Sequence, residues 1–285
     1  MGQTASGKTA LAEALADRLD AGLINADAFQ AYRGMDVGTA KPEAQARYRL
    51  LDIKEPNEPY GAGEFCLHAA EELQNLHAEG RSAVVVGGTG QYVRALFEEY
   101  RDLMPDPDPL LRAHLMERLK REGLPTLSEE LLRLAPEVAA RIDLRNPARV
   151  GRALERLQDS RPALKFDVPY TKRSKFAIAV GKDEIEARIA RRTGEMMHNG
   201  WVEEVARLRE KGFGPDDPGF RAIGYRTVGR LLDGDLGTGE AERIIVAETV
   251  AYAKRQRTWL RSEPGLQMAM PDLLDDLVEK VGADV

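Results

Sequence analysis

The segment Gly2-Gln3-Thr4-Ala5-Ser6-Gly7-Lys8-Thr9 constrains the fold of this chain more than any other feature. It matches the pattern G-x-x-x-x-G-K-[ST], in which successive backbone N–H groups and a following helix N-terminus form an anion cradle. Lys8 adds a point charge, and the Thr9 hydroxyl is the candidate magnesium ligand. Residues 10–19 read as the helix, with Leu11, Ala14, Leu15 and Leu19 on one face. A loop of this kind joins a buried strand to its helix. Only Met1 precedes the loop here, so the strand that leads into it is expected to be missing.

The pattern downstream alternates. Residues 22–26 read as a short strand ending at Asp27, and residues 50–53 as another apolar segment before a Pro- and Gly-rich loop. Residues 64–79 have helical periodicity. Residues 83–86 read as a buried strand that runs into Gly87-Gly88-Thr89-Gly90, with a helix from Gln91. Strands alternating with helices predict an α/β fold, a parallel sheet with helical crossovers. The character changes at Met104-Pro105-Asp106-Pro107-Asp108-Pro109 and is helical to about residue 169, with Asn146 capping a helix that starts at Pro147. Residues 176–180 return to a strand, and long helices follow. The expected organisation is a first part of the core at 1–104, a helical insertion at 105–172, and completion of the core at 173–285, mainly helical.

Composition excludes several classes. Cys66 is the only cysteine, which rules out an internal disulfide and a thiolate zinc cluster. The four histidines lack metal-ligand spacing. Residues 83–86 form the longest aliphatic run, far too short for a bilayer, and no signal segment opens the chain. Cytoplasm and no membrane partner are the expectation. The net charge of −6 argues against a nucleic-acid partner, but charge is uneven. Residues 141–192 carry fourteen Lys/Arg against seven Asp/Glu, and a second basic cluster spans residues 254–261. Local basic surface on an acidic chain suits specific contact with a polyanion, though solvated helix faces account for it equally. Arg149, Arg152 and Arg156 share one face of the helix after Asn146, opposite Val150, Ala153, Leu154 and Leu157.

Asp27 sits at the carboxyl end of a predicted strand, where open parallel sheets place their ligands. It is a candidate base or magnesium holder. The strand at 83–86 ends in Gly87, where many nucleotide hydrolases carry a magnesium-binding Asp.

Seven blocks occur in the order and spacing of one family. They are the loop at 2–9, Asn25-Ala26-Asp27-Ala28-Phe29-Gln30-Ala31-Tyr32, Leu51-Asp52-Ile53, Gly87-Gly88-Thr89-Gly90-Gln91-Tyr92, residues 147–155, Ile223-Gly224-Tyr225, and Ala253-Lys254-Arg255-Gln256-Arg257-Thr258-Trp259. From residue 2 to about 261 the chain resembles the tRNA dimethylallyltransferases. The resemblance implies a fold related to phosphate-loop NTPases, with helices on both faces of the sheet and an inserted all-helical domain that grips the anticodon stem-loop. It implies dimethylallyl diphosphate as donor, Mg2+ as cofactor, and the exocyclic amine of the adenosine 3′ of the anticodon as acceptor. On matching positions, Asp27 would be the general base, with Lys8 and Thr9 on the diphosphate. Gly2, Gln3, Thr4, Ala5, Ser6 and Gly7 would complete that cradle, with Arg221 a further candidate. Asp27, Ala28, Phe29, Gln30 and Thr89 would meet the reacting base, while Arg112, Ala148, Arg149, Val150, Gly151 and Arg152 would touch tRNA. A monomer is expected.

The chain departs from the family pattern in places. Gln3 replaces a Pro, Ala28 a Ser, Arg226-Thr227 a Lys-Glu pair, Val250-Ala251 an Arg-Gln pair, and Lys182 an Arg. Two other functions share parts of this pattern. A small-molecule kinase would use ATP in the same loop, and a tRNA-binding relative without turnover would keep the basic face.

Overall fold

The computed structural model describes residues 1–98, 100, 103, 108–269 and 278. The chain divides into two compact units, one of residues 1–100 with 166–285 and one of residues 101–165.

The first unit opens with the phosphate loop and α1 (Lys8–Leu19), followed by β1 (Gly22–Asn25) and β2 (Tyr48–Arg49). Then come α2 (Ala62–Ala78), β3 (Ala83–Val86) and α3 (Gly90–Phe97). The strands pair in parallel in the order β2-β1-β3, with Leu23 opposite both Tyr48 and Val84. β1 is buried along its whole length, so it reads GLIN with no polar alternation, as a central strand covered on both faces does. Ala12 and Ala16 of α1 pack on Leu23 and Val86. Small residues there let the helix approach the sheet closely, which fixes where the phosphate loop sits above the strand ends.

The second unit is helical: α4 (Pro109–Leu134), α5 (Pro136–Ala139) and α6 (Pro147–Gln158). α4 breaks at Gly123, just before Pro125. Asn146 caps α6 by accepting from the Ala148 and Arg149 N–H groups at 3.0 and 3.2 Å. Val150, Ala153 and Leu154 of α6 pack on Leu115, Leu127 and Leu131 of α4. Each such aliphatic side chain contributes about 1.5–3 kcal/mol on full burial. Residues 166–172, expected in the insertion, lie in the first unit, where Val168 is buried and the Tyr170 hydroxyl donates to the Arg81 carbonyl at 2.6 Å.

The first unit is completed by β4 (Lys175–Ile178), α7 (Lys182–His198), α8 (Trp201–Glu210), α9 (Tyr225–Leu232), α10 (Thr238–Arg261) and β5 (Leu266–Ala269). β4 and β5 pair in parallel, so the described strands form two sheets and not the single sheet expected. Met1 hydrogen-bonds to β4: its amino group donates to the Phe176 carbonyl at 2.6 Å, and the Ile178 N–H donates to the Met1 carbonyl. β3 and β4 line a largely apolar cavity of about 450 Å3 with Leu11 and Leu15 of α1.

Around α8 and α9, Trp201, Val205, Phe220, Tyr225 and Val228 form a core with Met35. The Glu204 carboxylate inside it accepts N–H groups of Asp36, Val37 and Gly38 at 2.7, 2.7 and 3.2 Å and the Tyr225 hydroxyl at 2.6 Å. Four donors offset the cost of burying that charge. They also hold residues 36–38, which follow the Asp27 segment.

Candidate active site

Parallel pairing brings the carboxyl ends of β1 and β3 side by side, so the segments after them share one edge. The Ala26 N–H donates to the Val86 carbonyl at 2.8 Å, and the Thr89 N–H donates to the Ala26 carbonyl at 3.3 Å. Gly87 is required at this approach: a Cβ there would stand 2.1 Å from the Ala26 carbonyl oxygen. That explains why the position taken by a carboxylate in nucleotide hydrolases carries none here.

Asp27 is held by its neighbours. Its N–H donates to Asn25 Oδ1 at 3.1 Å, and its Oδ1 accepts the Phe29 N–H at 3.2 Å. Buried Asn25 also donates through Nδ2 to the carbonyls of Asp27 and Leu50, both at 3.1 Å. One carboxylate oxygen is thus used in orienting the side chain. The other, Oδ2, lies 3.4 Å from where a Gly88 Cβ would stand, beside the glycine-rich segment. Thr89 Oγ1 accepts the Ala28 N–H at 3.0 Å, tying the two strand-end segments together. Gln30 donates to the carbonyls of Thr39 and Ala40 at 3.1 and 2.9 Å, and the Phe29 ring lies 6.5 Å from that of Tyr32.

The phosphate loop approaches the same edge. Gly7 has φ +87°, a left-handed turn that aims the loop into α1. Ser6 Oγ is buried without a hydrogen-bond partner. Burial lowers the Lys8 pKa; Asp27 opposes that shift and Arg192 adds to it. Arg192 of α7 is lowered likewise by burial and raised by Asp27, and it donates to Thr4 Oγ1. Lys8 and Arg192 thus both feel the Asp27 charge. Arg188 donates to the Ala5 carbonyl at 3.4 Å, and Ala5 packs on Ile185, Ile189 and Ala253.

The far wall comes from α10. Tyr252, Gln256 and Trp259 line a cavity of about 510 Å3 with Gly88, Thr89 and Gln91. The Arg94 guanidinium stands 4.4 Å over the Trp259 ring, which packs against Gly90, so this tryptophan is a helix-packing residue in the structure. Val250, where the family carries Arg, packs on Ile185 and Ile189.

Other residues singled out in the sequence lie apart from this edge. Arg221 is exposed on the 3-10 turn Gly219–Arg221, and no described contact joins it to the phosphate loop. In the helical unit, Arg112 forms a bidentate pair with Glu155 at 2.9 and 3.2 Å, and Arg152 reaches the same carboxylate at 3.2 Å. Arg149 and Ala148 are exposed, and Gly151 is half-buried. The Val150 side chain, expected at the RNA, is fully buried because it faces α4; it supports the basic face from beneath. Arg192 and Gln256 were the residues that sequence reasoning did not place at the site. Arg192 lies more than a hundred residues from the loop it touches, and its only signal was membership of a basic stretch.

The donor set suits magnesium only in a limited way. Among the described residues no three His, Cys, Asp or Glu side chains gather. The loop offers the half-exposed Thr9 hydroxyl at the first turn of α1. A single protein oxygen fits an ion whose other ligands are phosphate oxygens and water.

The IPP transferase family matches residues 30–263. The tRNA dimethylallyltransferase of Thiobacillus denitrificans is 40% identical over 99% of this chain and 94% of its own length. tRNA dimethylallyltransferase 1 of Trichlorobacter lovleyi is 39% identical over 95% and 92%. Among solved structures, the full-length tRNA isopentenylpyrophosphate transferase of Bacillus halodurans superposes with a TM-score of 0.72 at 30% identity, covering 99% of this chain and 94% of that one. A eukaryotic dimethylallyltransferase acting on tRNA shares the fold, with a TM-score of 0.75 at 21% identity over 95% of this chain and 73% of that one. With a phosphate loop, a strand-end carboxylate and a family match across most of its length, the chain belongs to the tRNA dimethylallyltransferase (IPP transferase) family.

Proposed function

We propose that this chain transfers a dimethylallyl group from dimethylallyl diphosphate to the exocyclic amine of the adenosine 3′ of the anticodon, releasing diphosphate. The observation that carries the reading is the placing of the Asp27 carboxylate beside Gly88, the same segment that Gln256 ties to Thr4 of the phosphate loop.

An adenine amine is a weak nucleophile because its lone pair is delocalised into the ring. As nitrogen forms its bond to the allylic carbon, the carbon–oxygen bond to diphosphate breaks. Asp27 takes the amine proton, and the electron pair of the broken bond leaves on the diphosphate. Fixed donors aimed at that growing charge lower the barrier most. Here they are the loop amides, Lys8 and Arg192. Mg2+ held by Thr9 would further neutralise the diphosphate when bound. The allylic carbon carries developing positive charge, so the remaining task is positioning. Ala28, Phe29, Gln30 and Thr89 form the edge that receives the base, which must leave its stack to reach it.

In the helical unit, Arg149 and Arg152 meet the tRNA backbone, with Arg112 beside them through Glu155. Contact of this kind is sequence-independent and salt-dependent. Action on tRNA places the protein in the cytoplasm. The test is incubation with unmodified tRNA and dimethylallyl diphosphate, and separately with ATP. The expected result is prenylated adenosine in digested tRNA by mass spectrometry and no phosphoryl transfer. Phosphoryl transfer alone, or tRNA retention without prenylated adenosine, would contradict the proposal.

A further inference from the structure

Gln256 is almost fully buried in α10 and spans two loops with one amide group. Its Oε1 accepts the Thr4 N–H of the phosphate loop at 2.8 Å, and its Nε2 donates to the Gly88 carbonyl at 2.9 Å. These partners allow only one orientation of the amide, because a backbone N–H must meet oxygen and a carbonyl must meet N–H. One turn earlier in α10, the Ala253 carbonyl accepts from Gln3 Nε2 at 2.9 Å, so the helix grips the phosphate loop twice. From Gly88 the connection continues to Thr89, whose hydroxyl accepts the N–H of Ala28, next to Asp27. Thr4, Gln256, Gly88, Thr89 and Ala28 therefore form one chain of contacts from the anion cradle to the carboxylate.

We infer that Gln256 is a positioning residue that sets the separation between the leaving-group cradle and the Asp27 base. The inference rests on the function proposed above. It has a direct corollary: the Thr4 N–H is committed to Gln256 and the Ser6 N–H donates to the Gln3 carbonyl at 3.3 Å, so the amides of Ala5, Gly7, Lys8 and Thr9 are those left for diphosphate. Methionine keeps the volume and loses both hydrogen bonds. Ionised glutamate keeps the acceptor but sets a negative oxygen against the Gly88 carbonyl. Protonated glutamate restores the full pattern, with its O–H donating to Gly88 and its carbonyl accepting from Thr4.

That difference supplies a test. In Gln256→Met, kcat for prenyl transfer is expected to fall about 10- to 100-fold, since a misplacement near 1 Å costs that much. KM for tRNA should hold, while the melting temperature falls because two backbone groups lose their partner. In Gln256→Glu, the ratio of its kcat to that of the wild type should rise as pH falls and the carboxyl protonates. Arg255, Asp27, Lys8 and Arg192 are common to both enzymes; Tyr252 hydrogen-bonds Gln256 itself, so the ratio is read well below the pH at which a tyrosine ionises. A flat ratio, or wild-type kcat in Gln256→Met, overturns the inference. If the wild type makes no prenylated adenosine, the function proposed above fails. The clamp is then read from hydrogen exchange at the Thr4 amide, which should speed up in Gln256→Met; an unchanged rate overturns it.

Discussion

The phosphate-loop edge of the first unit and the arginine face of the second are both built to meet negative charge, yet they are built differently. At the edge, charge is fixed by backbone: Gly7 turns the loop, Gly87 lets β3 meet Ala26, and Asn25 locks the Asp27 segment. The cations there, Lys8 and Arg192, are desolvated enough for burial to lower both pKa values. In the helical unit, Arg149 of α6 is exposed, and Arg112 of α4 and Arg152 of α6 share the buried Glu155 carboxylate. Fixed and partly buried charge acts strongly on a few atoms, whereas mobile and exposed charge tracks a long backbone. The first arrangement suits chemistry and the second suits grip.

Mutations should separate the two. The largest effect is expected at Asp27: Asp27→Ala should lower kcat about 100- to 10,000-fold, the usual contribution of a general base. tRNA affinity, measured by filter binding, should stay within a few-fold; equal loss of both would contradict the division of labour. Arg192→Ala should come next. Removing a partly buried hydrogen bond to a charged group costs about 1.5–3 kcal/mol, so KM for dimethylallyl diphosphate should rise about 10- to 100-fold with tRNA binding unchanged. Leu154→Ala opens a cavity under the basic face and should cost about 2–5 kcal/mol in the helical unit, read as early exchange of α4 and α6 amides. Arg149→Ala is the smallest. It should weaken tRNA only a few-fold and reduce the slope of log affinity against log salt by about 0.7–0.9, and an unchanged slope would remove Arg149 from the interface.

A pH series adds to the contrast. Because burial depresses the Lys8 pKa, pyrophosphate binding to the free enzyme should begin to weaken at a lower pH than an ordinary lysine would dictate. The sign for stability is opposite. A depressed folded pKa means the unfolded chain binds more protons, so this group favours folding more as pH rises from the folded toward the unfolded pKa. Titration calorimetry against pH reads the first effect and thermal melting the second.

The two regions were also unequally legible in the sequence. The phosphate loop and the turn at 87–90 are local, with glycines demanded by the backbone itself, so pattern and structure coincide there. The α6 cap and stripe are local too: Asn146, Pro147 and the buried Val150, Ala153 and Leu154 follow from spacing. Contacts across long separations were not legible. Arg192 on Thr4, Glu204 on the amides of residues 36–38, and Gln256 between two loops depend on how helices pack, which periodicity does not encode. The split between β3 and β4 depends on pairing partners in the same way. Glu155 showed the opposite failure, since a polar residue in a basic helix reads as solvated yet is buried between two arginines.

The most direct measurement is a crystal structure with pyrophosphate and an anticodon stem-loop bound. The account predicts pyrophosphate on the amides of Ala5, Gly7, Lys8 and Thr9 with Lys8 and Arg192 beside it. It also predicts the target adenine flipped out, with its exocyclic nitrogen within about 3.2 Å of an Asp27 carboxylate oxygen. Pyrophosphate bound away from that loop, or an adenine amine facing another residue with Asp27 out of reach, would contradict it.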